Sequence, residues 1–204
     1  MSLMRLLAFI VGALGCLTNQ CGPARASEVR VTPELVCAVQ DAIRWRDGQW
    51  SAERCARLSQ AFAATPEPRV TLAVAVLESD LRPGAVAWSS KNVADVGLCA
   101  VRCVLDAAGI CSNGPARGKT LTELQDPETN IRVAAMILKQ KRHRFGRHRY
   151  LASYNGNPDG SNGYAENVKA LVAAFAGAEV RVRSKRVREL ARKIAASLRR
   201  ERNG

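Results

Sequence analysis

Glu78 closes one of the most apolar stretches of the chain, Val70-Thr71-Leu72-Ala73-Val74-Ala75-Val76-Leu77. Folding alone has no use for a carboxylate there. An acid at the end of a buried segment loses water, and that loss disfavours its charged form. If the segment is helical, Glu78 falls in the last turn, where the negative end of the macrodipole pushes the same way. A carboxylic acid that keeps its proton can act as a general acid. The plain alternative is a satisfied glutamate at a helix end, its head in solvent or paired with Arg82. Asp80 lies two residues on, so a helix would point it away from Glu78. Asp95 lies farther along and is the other candidate for a second acid.

Other chemistry is weaker. Gly114-Pro115-Ala116-Arg117-Gly118-Lys119-Thr120 imitates a phosphate loop, but that motif needs four residues between its glycines and here there are three. No strand-like run feeds it. His143 and His148 stand in a basic stretch with no acid nearby, and no Cys-x-x-Cys occurs. The expectation is no metal site and no cofactor.

The elements that would position Glu78 are mostly helices. Thr32 and Pro33 start one that runs to about Arg46, and Ser51 caps a second that runs to about Ala64. Pro66-Glu67-Pro68 feeds the helix ending at Glu78, and Arg82-Pro83-Gly84 stops it. Residues 84–97 read as a loop or short hairpin, 98–109 as a short helix and 111–120 as a polar loop. Asp126 and Pro127 open the clearest helix, with Ile131, Ala134, Ala135 and Leu138 on one face. Its basic end, Lys139 to Arg144, complements the helix dipole. Leu151 to Tyr154 leads into the turn-rich Gly156-Asn157-Pro158-Asp159-Gly160, and a helix follows from about Tyr164 to Ala176. The fold class is therefore mainly α, with at most a small irregular β element. No alternation of strands and helices supports a parallel sheet.

The chain has 204 residues and a formal charge of +13, which favours an anionic partner: nucleic acid, a phospholipid surface or an acidic wall polymer. Residues 1–26 read as a secretory signal: a basic start, an apolar stretch from Leu6 to Leu17, and Ala24-Arg25-Ala26 before the cut. Ala13-Leu14-Gly15-Cys16 is a loose lipobox, so a lipid anchor at Cys16 is the variant reading. Export suits the cysteines. Cys37 and Cys55 lie on neighbouring helical stretches and make one pair. Cys103–Cys111 or Cys99–Cys111 makes a second, leaving one thiol over among the five cysteines beyond the expected signal. From residue 179 the tail holds ten Lys/Arg against three Glu, with Val187, Leu190, Ala191, Ile194 and Leu198 at helical spacing. This basic amphipathic helix either packs on the domain or docks on an anionic envelope surface. An exported protein rarely meets nucleic acid, so none is expected as partner.

Four segments in order resemble the catalytic domain of the soluble lytic transglycosylases, lysozyme-like enzymes that cleave peptidoglycan. They are Ala75-Val76-Leu77-Glu78-Ser79, Asp95-Val96-Gly97-Leu98-Cys99-Ala100-Val101, Asp126-Pro127-Glu128-Thr129-Asn130-Ile131, and Ala152-Ser153-Tyr154-Asn155-Gly156 with Tyr164 and Val168 following. The resemblance covers roughly residues 68–176, within a domain of 27–178. It implies a lysozyme-like fold, a peptidoglycan substrate, and an exported, periplasmic or envelope-associated enzyme. It implies Glu78 as the single general acid and base, with the sugar's own 6-hydroxyl attacking to leave a 1,6-anhydro end. Ser79, Gly97, Leu98, Tyr154 and Asn155 are the implied substrate-binding or acid-orienting residues, Tyr154 through a hydrogen bond to Glu78. Asp95 is the second acid of a hydrolytic alternative. The Asp before Val96-Gly97 is similar to small transglycosylases that accompany secretion or conjugation machines, which implies such a machine as partner. Two departures touch the glycan cleft. The family's Met-Gln is Cys99-Ala100, and its Tyr-Asn-Ala-Gly is Tyr154-Asn155-Gly156-Asn157. They admit a degenerate glycan-binding module as another alternative.

Overall fold

A computed structural model describes residues 30–43 and 50–203. The expected signal at 1–26 and the Cys16 anchor lie outside the described residues. Thr32 Oγ1 accepts from Leu35 N at 3.3 Å and opens α1 (Pro33–Ile43). Ser51 Oγ accepts from Arg54 N at 3.2 Å and opens α2 (Ala52–Ala63). Both side chains satisfy a backbone donor that the first turn leaves open. The expected Cys37–Cys55 disulfide ties the two helices together. It closes a loop of 18 residues, so replacing both cysteines by serine should cost about 3 kcal/mol. Chemical denaturation under oxidising conditions reads that loss as a lower midpoint.

The third helix, α3 (Pro68–Ser79), is the axis of the domain. Thr71 through Val76 are all buried. A helix apolar on every side is stable only when surrounded, and α2 and the later helices Pro127–Tyr154 and Tyr164–Phe175 pack around this one. It ends at Ser79, one residue past the Glu78 end read from the sequence and ahead of Arg82-Pro83-Gly84. Asp80 adopts a left-handed φ of 53°, and the Leu81 N–H reaches back to Ala75 O at 3.3 Å. Leu81 is buried just beyond. This is a helix stop built from a backward hydrogen bond and an apolar contact.

The β element is a three-stranded antiparallel sheet in the order β1 (Val86–Ser90), β2 (Val93–Val96), β3 (Val101–Val104). The hairpin at 84–97 is as anticipated, but the short helix at 98–109 is not formed. Gly97 at φ 77° and Ala100 at φ 48° break any right-handed turn there. Val101 and Cys103 are then buried while Arg102 between them is exposed, the period-two pattern of a strand. The Cys103–Cys111 disulfide fastens the following loop, and among the described residues Cys99 is the free, buried thiol.

Thr120 and Glu123 form a capping box on α4 (Leu121–Gln125). Asp126 caps α5 (Pro127–Tyr154), accepting from Thr129 N at 2.8 Å. Gly146, at φ 71° and ψ 175°, breaks α5 shortly after its basic stretch. Residues 151–154 are its last turn and lead into the turn-rich loop. The last helices are α6 (Tyr164–Phe175) and α7 (Lys185–Asn203). The apolar stripe of α7 is packed: Val187, Ala191 and Ile194 are buried against α1 and α6. Arg186 of α7 pairs with Asp80 at the end of α3. The whole is a mainly α domain with one small sheet.

Candidate active site

The C-terminal turn of α3 carries Glu78 to the wall of a cavity of about 380 Å³. Asp95, Ala100, Arg102, Lys141, Tyr154 and Asn155 share that wall. Glu78 is half-buried, and its Oε1 is fully buried with no hydrogen-bond partner. A buried polar atom left open costs free energy, so its presence calls for a reason. Burial drives the Glu78 carboxyl above its ordinary value of 4.5. The neighbouring Tyr164 hydroxyl and Asn155 side chain pull it partly back, and the charge on Asp95 pushes it up. The Tyr164 hydroxyl is likewise buried without a closed hydrogen bond, facing this acid, and is itself shifted upward by burial and by Glu78. Glu78 lines the cavity, whereas Tyr164 is not among its lining residues.

Removing the Tyr164 hydroxyl therefore has a signed consequence. Tyr164→Phe deletes a donor that favours the carboxylate, so the Glu78 pKa rises further. The alkaline limb of the pH–rate profile should move to higher pH while the melting temperature changes little. A limb that stays in place, or moves to lower pH, would show that this hydroxyl does not act on the acid.

A loop from Gly97 to Ala100 forms the facing rim, and its backbone is pinned on every side. Ser79 Oγ donates to Leu98 O at 2.7 Å and accepts from Arg82 N at 3.0 Å. Asn130 Oδ1 accepts from Cys99 N at 2.8 Å, while its Nδ2 donates to Val96 O at 2.8 Å and Leu124 O at 2.7 Å. The Tyr154 hydroxyl donates to Cys99 O at 2.8 Å. Ser79 and Leu98 are buried and serve the loop's backbone and packing. Tyr154 lines the cavity beside Glu78, but its hydroxyl bond goes to the loop, not to the acid as expected from sequence. The hydroxyl that faces Glu78 belongs to Tyr164. Asn155 does reach the acid and accepts from Asn162 Nδ2 at 2.8 Å. Arg82 gives its Nε–H to Ser79 O at 2.9 Å.

Asp95 reaches the cavity from β2, where Arg102 on β3 pairs with it through two bonds of 2.9 Å. Among the described residues, the non-glycine residues with positive φ are Asp80, Leu81 and Ala100. All three border Glu78 or its rim, and strained backbone gathers where geometry is held for function. The departures at Cys99 and Ala100 now separate. Cys99 faces the core, and only Ala100 lines the cavity. Reasoning from the sequence passed over Asn130 and Arg102. A buried asparagine inside the apolar face of α5 was the available signal for the first. A larger cavity of about 500 Å³ lies between α2 and α5, but its one acid, Glu128, is an exposed residue of a helix's first turn. The acid with altered proton affinity is in the smaller cavity, and that is where chemistry is placed.

Comparison with known proteins agrees with this architecture. The family model of the transglycosylase SLT domain matches residues 59–194, and the chain belongs to that family. No curated protein and no solved structure matches it. Membership supports peptidoglycan lytic transglycosylase activity in general, with peptidoglycan as the bound polymer.

Proposed function

We propose that the protein is an exported lytic transglycosylase that cuts the bond between N-acetylmuramic acid and N-acetylglucosamine with Glu78 as its only acid and base. The observation that carries this is the buried, unpartnered Oε1 of Glu78 at the cavity wall. The protonated carboxyl gives its proton to the glycosidic oxygen as the C1–O bond breaks and positive charge gathers at the ring. The carboxylate then takes the proton of the same sugar's 6-hydroxyl, whose oxygen closes on C1. Glu78 ends reprotonated, no water is consumed, and the product carries a 1,6-anhydro ring.

The bidentate pairing of Asp95 with Arg102 favours this route over hydrolysis. Both Asp95 oxygens are engaged by the Arg102 guanidinium. The two disulfides fit the oxidising environment that export provides, and the periplasm or cell envelope is the proposed location. The test is digestion of purified peptidoglycan followed by mass analysis of the fragments. Anhydro-ended muropeptides are expected. Reducing ends would assign a lysozyme that uses Asp95, and binding without any cleavage would assign the degenerate glycan-binding module.

A further inference from the structure

The middle of α5 carries a charge imbalance that the chemistry at Glu78 does not use. From Thr129 to Pro158 there is no acid, while Arg132, Lys139, Lys141, Arg142, Arg144, Arg147 and Arg149 all lie within that span. Arg142 is neutralised by Glu67 at 2.6 Å. Among the described residues no ion pair is found for the other six. Arg144, Arg147 and Arg149 are exposed.

The run is joined to the cavity. Lys141 lines the same wall as Glu78. The Phe145 ring, half-buried beside it, is covered by Lys141 Nζ at 5.6 Å and Arg144 Cζ at 5.1 Å from its centroid. One aromatic platform thus holds a cation at the cavity lip and a second cation outside it. At helical rise Arg144 lies about 4.5 Å beyond Lys141 along the axis. Gly146 then breaks the helix and the cations continue past it.

We propose that this run is an electrostatic landing strip for the carboxylates of the peptide stems. The enzyme would then take glycan strands that retain their stems in preference to bare glycan. The inference rests on the peptidoglycan reading above. A membrane surface fits less well. Docking on lipid by a helix needs an apolar face to insert. Among the described residues the exposed large hydrophobic ones are Val86, Trp88 and Met136, none of them within 139–149. Phe145 is covered by its cations, and the apolar stripe of α7 is packed inside.

The experiment compares the full chain with the combined variant Arg144→Gln, Arg147→Gln and Arg149→Gln. Both are made in the Glu78→Gln background for binding and with Glu78 intact for turnover. Co-sedimentation is measured with insoluble peptidoglycan, with the same material after amidation of its carboxylates, and with phosphatidylglycerol vesicles. The three arginines are exposed, so equal melting temperatures are expected. The variant should bind native peptidoglycan at least about fivefold more weakly, and added salt should erase the difference. On amidated peptidoglycan and on stem-free glycan the two proteins should bind and turn over alike. Equal binding to native peptidoglycan, or tighter binding to the vesicles than to the wall, overturns the proposal. Sedimentation needs no turnover. Absence of anhydro products with the expected binding pattern would sink the enzymatic reading and leave the landing strip standing.

Discussion

Replacing Glu78 by glutamine should abolish cleavage, with turnover lower by about 1000-fold and wall binding retained. The amide keeps the shape of the acid and has no proton to give. The same substitution should stabilise the fold, and the sign follows from the raised pKa. The folded state holds the Glu78 proton more tightly than the unfolded chain. Wild-type stability therefore declines as pH climbs from the ordinary value of 4.5 through the raised one. Below that window both states carry the proton and the penalty vanishes. Glu78→Gln has no such proton, so its melting temperature should exceed the wild type's by a margin that opens between acid and neutral pH. Thermal melts across that range check it. A margin that does not change with pH would mean that burial exerts no hold on this carboxyl.

The second large effect is expected at Gly97. A Cβ there would stand 2.2 Å from Asn130 Nδ2 and 2.5 Å from Leu124 O, at a φ of +77°. The second contact is with backbone, and the first is with a side chain fixed by three hydrogen bonds, so neither can step aside. Gly97→Ala should cost at least about 3 kcal/mol. Activity should be lost with it, because Ala100 and the cavity rim move with the loop. Gly118 serves as control: its φ is +80°, but nothing lies within 4 Å of a Cβ placed there. Gly118→Ala should cost only the left-handed strain of about 1–2 kcal/mol. Urea denaturation of the two variants separates crowding from strain. Equal losses would contradict the packing described at Gly97.

Much of this architecture was legible in the residues. Thr32, Ser51 and Asp126 announced helix starts because a side-chain oxygen two or three residues before a free N–H is a local device. The Cys37–Cys55 pair followed from two neighbouring helices. Glu78 stood out because an acid at the end of a buried run has no structural motive. What sequence could not supply is long-range. The bond from Tyr154 to Cys99 O spans 55 residues, and that from Asn130 to Cys99 N spans 31. No spacing rule encodes such pairs. The rim from Gly97 to Ala100 was misread as a helix start because a left-handed alanine has no signature in composition. Tyr154 was expected to bond the acid, yet its hydroxyl goes to Cys99 O, a choice that only packing makes.

Burial at the cavity wall should make Glu78 hold its proton more tightly than a carboxyl in water does. Carbon-13 NMR of glutamate side-chain carboxyls, with Glu78→Gln to assign the signal, reads this directly. The account predicts a Glu78 resonance that titrates above 4.5 and moves higher still in Tyr164→Phe. A resonance that titrates at the ordinary value, unmoved by Tyr164→Phe, would contradict it.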